Sequence, residues 1–198
     1  IIRESVPDSY ADLGFQTVST NPCGEIPLCP YDSCRLLALN LYSYVVKPFT
    51  KEAYFDYELF NKHVRLAQRI MDDIIDLESE KIEKILSKID SDPETNEVKQ
   101  TERHLWEKIQ KKTLQGRRTG VGITAEGDMI AALGLRYGTD EATDMAESIQ
   151  RTLAIEAYRS SVYMAKERGA FEIYDAKREE KNPFINRLRE ADPSLYED

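Results

Sequence analysis

The chain has 198 residues, 36 acidic against 27 basic side chains, a net charge of −9 and three cysteines. A chain of this size buries roughly 70% of the surface its unfolded form exposes, and its acidity excludes a general affinity for DNA, RNA or acidic membranes. Three cysteines without a regular framework indicate a reducing compartment; with no signal-peptide core and no run near about 18 apolar residues, a soluble cytoplasmic protein is expected.

Residues 1–20 read as irregular, with Pro7 and Gly14 and few apolar anchors. The run Asn21-Pro22-Cys23-Gly24-Glu25-Ile26-Pro27-Leu28 follows and sets a thiol between an amide and a carboxylate. With residues 21–25 extended, Asn21, Cys23 and Glu25 share one face. Asn21 brings a donor and an acceptor, and a carboxylate at Glu25 sheltered from water becomes a base with a raised pKa. Gly24 permits close backbone approach, while Pro22 and Pro27 restrict the loop. Cys29 reads as a packing thiol. A bridge from it to Cys34 needs Cα atoms within about 7 Å, which an extended strand between them forbids.

Leu36 to Tyr42 is a short, nearly continuous apolar run between Pro30 and Pro48, as in a strand covered on both faces. From about Asp56 to Leu77, Phe60, Val64, Ala67, Met71 and Ile74 recur at steps of four and three, the spacing of a helix with one buried face. Ile82, Ile85 and Ile89 keep that spacing past Ser79, leaving open whether the helix breaks there. Asp92 and Pro93 offer a cap and a first helical position for the next helix, with Val98, Leu105, Ile109 and Lys112 on one side and Gly116 as its end. Arg117 to Thr124 reads as a strand turning into a helix capped by Thr124. Gly120, Gly122 and Gly127 do not make a dinucleotide fingerprint, because the third falls five positions after the second instead of three. Close strand and helix packing accounts for them better.

Thr139 opens what reads as the longest helix, with Ala142, Met145, Ile149, Leu153 and Ala157 as its buried stripe and Gly169 beyond its end. Arg178 to Lys181 reads as a solvated loop or helix end, and residues 190–198 as a fraying terminus. His63 and His104 form no metal-binding pair, so no metal site is expected. A cysteine hydrolase pairing Cys23 with His63 lacks any group to orient the imidazole. Alternating strands and helices make the chain α/β.

The NPCGEIPL run, followed eleven residues after Cys23 by Cys34 in DSCRLLALNL, resembles the finger loop and adjoining strand of the large, catalytic subunit of ribonucleotide reductases. Gly116 to Ile123 and the stretch Lys166 to Phe171 support the likeness. The resemblance implies a partial ten-stranded α/β barrel, helix-rich, with the finger loop through its centre. Residues 1–198 would be its central segment: finger loop about 19–30, strand about 35–46, helical region about 55–115, strand and helix units about 117–175. It also implies that Cys23 is a thiyl radical site acting on the 3′ hydrogen of a ribose and Glu25 the base for the 3′-hydroxyl. Asn21 and Gly24 would contact the substrate, and Cys34 would be half of the reducing dithiol. The second thiol belongs upstream, and no cysteine precedes Cys23, which reads as a fragment active only with the missing barrel parts or a split partner chain.

Its motif form and the Pro30 to Cys34 context resemble most the adenosylcobalamin-dependent class, with the cofactor site outside this segment. The oxygen-dependent class, with a separate radical subunit, is the alternative. The anaerobic glycyl-radical class fits less well, since Glu25 and Cys34 belong to dithiol chemistry. The implied partners are a ribonucleotide, a thioredoxin-like or other dithiol reductant and, for some arrangements, a second copy in a homodimer; no nucleic-acid polymer and no membrane are expected. A different class of function, a non-catalytic helical or assembly module that keeps the loop as a relic, would bind a partner through exposed apolar faces.

Overall fold

The computed structural model describes residues 9–22, 24, 26–33 and 35–196. These include six strands and six α-helices. The strands are β1 (Ser19–Thr20), β2 (Pro27–Leu28), β3 (Arg35–Asn40), β4 (Val45–Val46), β5 (Tyr54–Phe55) and β6 (Thr119–Thr124). The helices are α1 (Tyr57–Ser91), α2 (Asn96–Gly116), α3 (Glu126–Ala132), α4 (Asp140–Arg168), α5 (Ala176–Glu179) and α6 (Pro183–Ala191). The strands pair as three two-stranded sheets, β1 with β2, β3 with β6 and β4 with β5. The architecture is therefore helix-rich α/β, and no closed barrel is present among the described residues.

The chain forms two compact units. The first contains Ile1–Arg35, Asp72–Thr119 and Arg168–Pro193. Its centre is a helical hairpin between the second half of α1 and α2. Gln110 Nε2 donates to Ser79 Oγ at 3.4 Å, and Lys99 Nζ to the Asp90 carbonyl at 3.0 Å, so the two run antiparallel. Ile75, Ile82 and Ile89 are buried at sevenfold spacing, with Ser79 between them. Burial of each such side chain contributes about 1.5–3 kcal/mol relative to exposure. The 3-10 turn Ala11–Leu13 is tied to the end of the unit: Arg178 forks onto Asp12 at 2.6 and 2.7 Å, and the Tyr10 hydroxyl donates to Glu179 at 2.6 Å. Arg178 is thus anchored rather than merely solvated.

The second unit contains Leu36–Met71, Gly120–Glu167 and Ser194–Asp198. Its core joins Leu41, Tyr44, Phe55, Phe60 and Val64 to Met129, Ile130, Ala142, Ile149 and Leu153. Tyr44, Phe55 and Phe60 meet at 5.0 to 5.7 Å between ring centroids, two of the three contacts edge to face. Such pairs add about 0.5–1.5 kcal/mol beyond area burial. Glu156, a buried carboxylate on α4, pairs with Arg65, and Arg69 grips Glu167 through two hydrogen bonds of 2.6 and 2.7 Å.

Several local expectations are corrected. The apolar run does not continue as a strand to Tyr42, because the Asn40 side chain accepts from Tyr42 N at 3.1 Å and turns the chain into a 3-10 helix over Leu41–Tyr44. Nor is β3 covered on both faces, since Leu36 is 56% exposed. Helix α1 does not break at Ser79 and is longer than α4, and the fully buried residue after Met71 is Ile75, not Ile74. Helix α2 starts at Asn96 with Thr95 as cap, three residues after Pro93, and α3 is preceded by Ala125 in the left-handed region instead of a Thr124 cap. On α2 the expected apolar positions Val98 and Leu105 are exposed, while Thr113 is buried. Residues before the terminus form α6 and the 3-10 turn Pro193–Tyr196, with Leu195 buried, where fraying was expected.

Candidate functional site

The motif run forms the tip of a hairpin. β1 and β2 pair antiparallel with Ser19 opposite Leu28 and Thr20 opposite Pro27. Between them Gly24 N donates to the Asn21 carbonyl at 3.0 Å, closing a turn, and Gly24 has φ +83°. The Asn21 carbonyl and Gly24 N thus meet across a turn, and the shared face expected of Asn21, Cys23 and Glu25 rests in part on residues outside those described. Cys23, Glu25 and Cys34 lie outside the described residues. At Gly24 no protein atom lies within 4 Å of an added Cβ, so the left-handed backbone, not protein crowding, calls for glycine.

Asn21 does more for the loop than the sequence suggests. Its Oδ1 accepts from Ile26 N at 2.9 Å, and its own N–H donates to the Ile26 carbonyl at 3.1 Å. The acceptor expected to face a ligand is committed to the hairpin; the donor Asn21 would offer is Nδ2.

Beyond the hairpin the segment reaching β3 is held by charge. The Asp32 side chain is 1% exposed and receives Arg118 Nε at 2.7 Å. Arg118 also donates to the Pro27 carbonyl at 3.0 Å, which ties β2 to the start of β6. The Cys29 thiol is buried and donates to Asp32 Oδ2 at 3.5 Å. Burial, then the Asp32 charge, pushes its pKa up to about 11, so it stays protonated at neutral pH. Arg35, 6% exposed at its side chain, donates to Glu78 at 2.5 Å, to Thr113 Oγ1 at 2.9 Å and to the Ser33 carbonyl at 3.2 Å. Asp32, Arg35, Glu78, Thr113 and Arg118 were not among the residues expected at the site. The available signal was the placement of Arg35 at the head of an apolar run and the pair Arg117-Arg118 directly after a helix.

Other charged clusters read as structural. Asp72, Asp73 and Asp76 bring carboxylate oxygens within 4.8 Å of one another. Arg117 donates to Asp72 and Asp76 at 2.8 Å each, and Arg168 to Asp72 and Asp73 at 2.9 Å each. Burial works to lower the Arg117 pKa, but the hydrogen bonds and charges of both aspartates outweigh it and leave it raised. His63 is engaged at Nδ1 by the Tyr44 hydroxyl at 3.1 Å. In the second unit a hollow of about 360 Å³ is lined by Asn40, Tyr42, Phe49, Ala125, Asp128 and Ala131. Among the described residues, no helix is long and apolar enough to cross a membrane.

Residues 14–192 match the family described as ribonucleotide reductase, barrel domain. The chain belongs to this family. It is 31% identical over 153 residues to a vitamin B12-dependent ribonucleoside-diphosphate reductase of Thermoplasma acidophilum, covering 77% of this chain and 16% of that protein. A protein of the same name from Mycobacterium tuberculosis is 29% identical over 156 residues, 79% of this chain and 18% of its own length. The chain thus spans less than a fifth of the length of these relatives. The hairpin, the Asp32 and Arg118 pair and the Arg35 network all fall inside the region matched to the reductase barrel domain.

Proposed function

We propose that this chain is the segment of a ribonucleotide reductase that carries the radical and reducing thiols, in a protein that converts ribonucleotides to deoxyribonucleotides. The match to the reductase barrel domain over residues 14–192 carries this conclusion, because it spans Asn21, Cys23, Glu25 and Cys34 together. On this reading the finger loop covers about residues 19–30, followed by a strand region at about 35–46, helices at about 55–115 and strand and helix units at about 117–175. These are parts of a ten-stranded barrel whose remaining strands lie elsewhere in the protein.

Each residue has a defined task. The Cys23 sulfur, as a thiyl radical, takes hydrogen from C3′ of the ribose and later returns it. Glu25 accepts the 3′-hydroxyl proton, which a carboxylate shielded from water does best. Asn21 Nδ2 and the backbone at Gly24 hold the sugar, the hairpin having fixed the Asn21 backbone in advance. Cys34 and a second thiol from outside this segment supply two electrons and two hydrogens. The 2′-hydroxyl leaves as water, a disulfide forms, and an external dithiol of thioredoxin type reduces it again.

The relatives named above are vitamin B12-dependent, so adenosylcobalamin is the cofactor proposed. When bound, it supplies the initial radical. None of the described residues is identified as a ligand of that group, and on this reading another part of the protein holds it.

The test is deoxyribonucleotide formation by the full-length protein with adenosylcobalamin and a dithiol. Cys23→Ala is expected to abolish product, as a methyl group cannot carry the radical. Full activity in that variant would remove the proposal.

A further inference from the structure

The hollow of about 360 Å³ lies wholly within the second unit and is lined by side chains that the fold leaves unused. Two of them are aromatic: the Tyr42 and Phe49 rings stand 6.5 Å apart between centroids, with their planes inclined by 42°. Asp128, in the first turn of α3, supplies a carboxylate. Among the described residues neither that carboxylate nor the Tyr42 hydroxyl has a hydrogen-bond or ion-pair partner. No Lys, Arg or His is among the lining residues, so the formal charge there is that of Asp128. Asn40 completes the arrangement by accepting from Tyr42 N at 3.1 Å, which fixes the backbone that carries the Tyr42 ring.

Folding alone does not account for this arrangement. Phe49 is 69% exposed, yet its backbone is held in the left-handed region at φ +62°, which is unfavourable for any residue but glycine. The turn is nonetheless fixed, because Phe49 N donates to the Ala132 carbonyl at 2.8 Å and Thr50 Oγ1 to the Lys47 carbonyl at 2.8 Å. A strained turn that keeps an apolar ring in water adds nothing to the core. An aspartate in the first turn suits the helix dipole, but that role needs no aromatic neighbour. An acid together with two ring faces does have a defined chemistry: the negative faces attract a cation, and the carboxylate and phenol oxygens accept N–H bonds from it.

We propose that this hollow is a binding site for an alkylammonium group, with Asp128 as its counter-ion and the Tyr42 and Phe49 rings as the faces it packs against. The small side chains of Ala125 and Ala131 leave room for the alkyl stem. A phosphate-bearing ligand is disfavoured, because Asp128 repels it and no lining cation offsets that charge. The compact, three-donor ammonium can come from a free primary amine or from a lysine side chain of the full-length protein, and the same reaction tells these apart. The site stands independently of the ribonucleotide chemistry proposed above.

The experiment treats the full-length protein with a water-soluble carbodiimide and reads amide formation by mass spectrometry at Asp128 and, as reference, at the exposed Asp144. Two amines are compared at about pH 6.5, where butylamine is an ammonium ion and methoxyamine is uncharged. Butylamine is expected to label Asp128 about 10-fold in preference to Asp144, the gain that two ring faces and a carboxylate give a cation, whereas methoxyamine should show no such preference. Phe49→Leu removes one ring from a position already open to water and should lower the preference about threefold. Without added amine, an isopeptide bond between Asp128 and a lysine places the ammonium source within the protein itself; its yield should fall by the same factor in Phe49→Leu. Butylamine labelling without that bond identifies a site for a free amine. An Asp128 that forms no amide, or one that shows the same preference with both amines and no isopeptide bond, overturns the proposal. So does a preference or an isopeptide yield that Phe49→Leu leaves unchanged.

Discussion

Replacing Arg118 with methionine tests whether charge holds the segment between the hairpin and β3. The Arg118 guanidinium is 30% exposed at its side chain, while the Asp32 carboxylate it meets at 2.7 Å is 1% exposed. Removing the cation leaves that carboxylate facing the Ser33 N–H and the Cys29 thiol, and β2 also loses the donor to the Pro27 carbonyl. Breaking one side of a buried pair costs about 3–5 kcal/mol, and the partial exposure of Arg118 places the expected loss near the lower figure. At 1.36 kcal/mol per factor of ten, about 3 kcal/mol raises local opening roughly 100-fold. Amide hydrogen exchange over residues 26–33 of the full-length protein reads this directly. Asp32→Asn added to Arg118→Met removes the orphaned charge, so the double variant should exchange more slowly than the single one, with a coupling of about 2 kcal/mol in the cycle. Exchange in Arg118→Met within twofold of the parent, or a double variant that opens more readily than the single one, would refute the reasoning.

Gly116→Ala should destabilise the first unit even though alanine favours helix: its Cβ would stand 2.7 Å from Cε1 of Phe15, which is 2% exposed and has little room to retreat. Overpacking of about 1–3 kcal/mol exceeds the roughly 1 kcal/mol of helix propensity gained, so a denaturation midpoint at or above the parent's would contradict the assignment. Cys29, its pKa pushed from 9.0 to about 11, should react with iodoacetamide at pH 8 about 100-fold more slowly than a free thiol. The unfolded chain releases this proton at lower pH than the folded one, so the stabilisation is complete below pH 9 and declines as pH rises towards 11. Cys29→Ala should flatten that part of the stability profile; the same slope in variant and parent would show that burial does not hold the thiol proton.

Periodicity conveyed what was local. The four and three spacing from Phe60 to Met71 and the stripe Ala142, Ile149, Leu153 are buried as their spacing demands, because amphipathic helices write their packing face directly into consecutive turns. It failed where a single polar side chain redirects the backbone: Asn40 ends β3 by bonding Tyr42 N, and Asn21 closes the hairpin by bonding Ile26 N. Both asparagines stand in runs whose neighbours suggest an extended chain, and only the completed hydrogen bond reveals the turn. The charged network of Arg35 and Arg118 was harder still to read. Arg35 meets Glu78 across 43 positions and Thr113 across 78, and Arg118 reaches the Pro27 carbonyl across 91. A charged residue in sequence reads by default as solvated, because burial depends on a partner that no local pattern contains. The motif was legible as a run of residues, whereas the pairings that hold the chain beside it arise only in the folded protein. The contact of Arg35 with the Arg118 carbonyl follows from the meeting of β3 with the start of β6, and no window of the sequence shorter than that interval displays it.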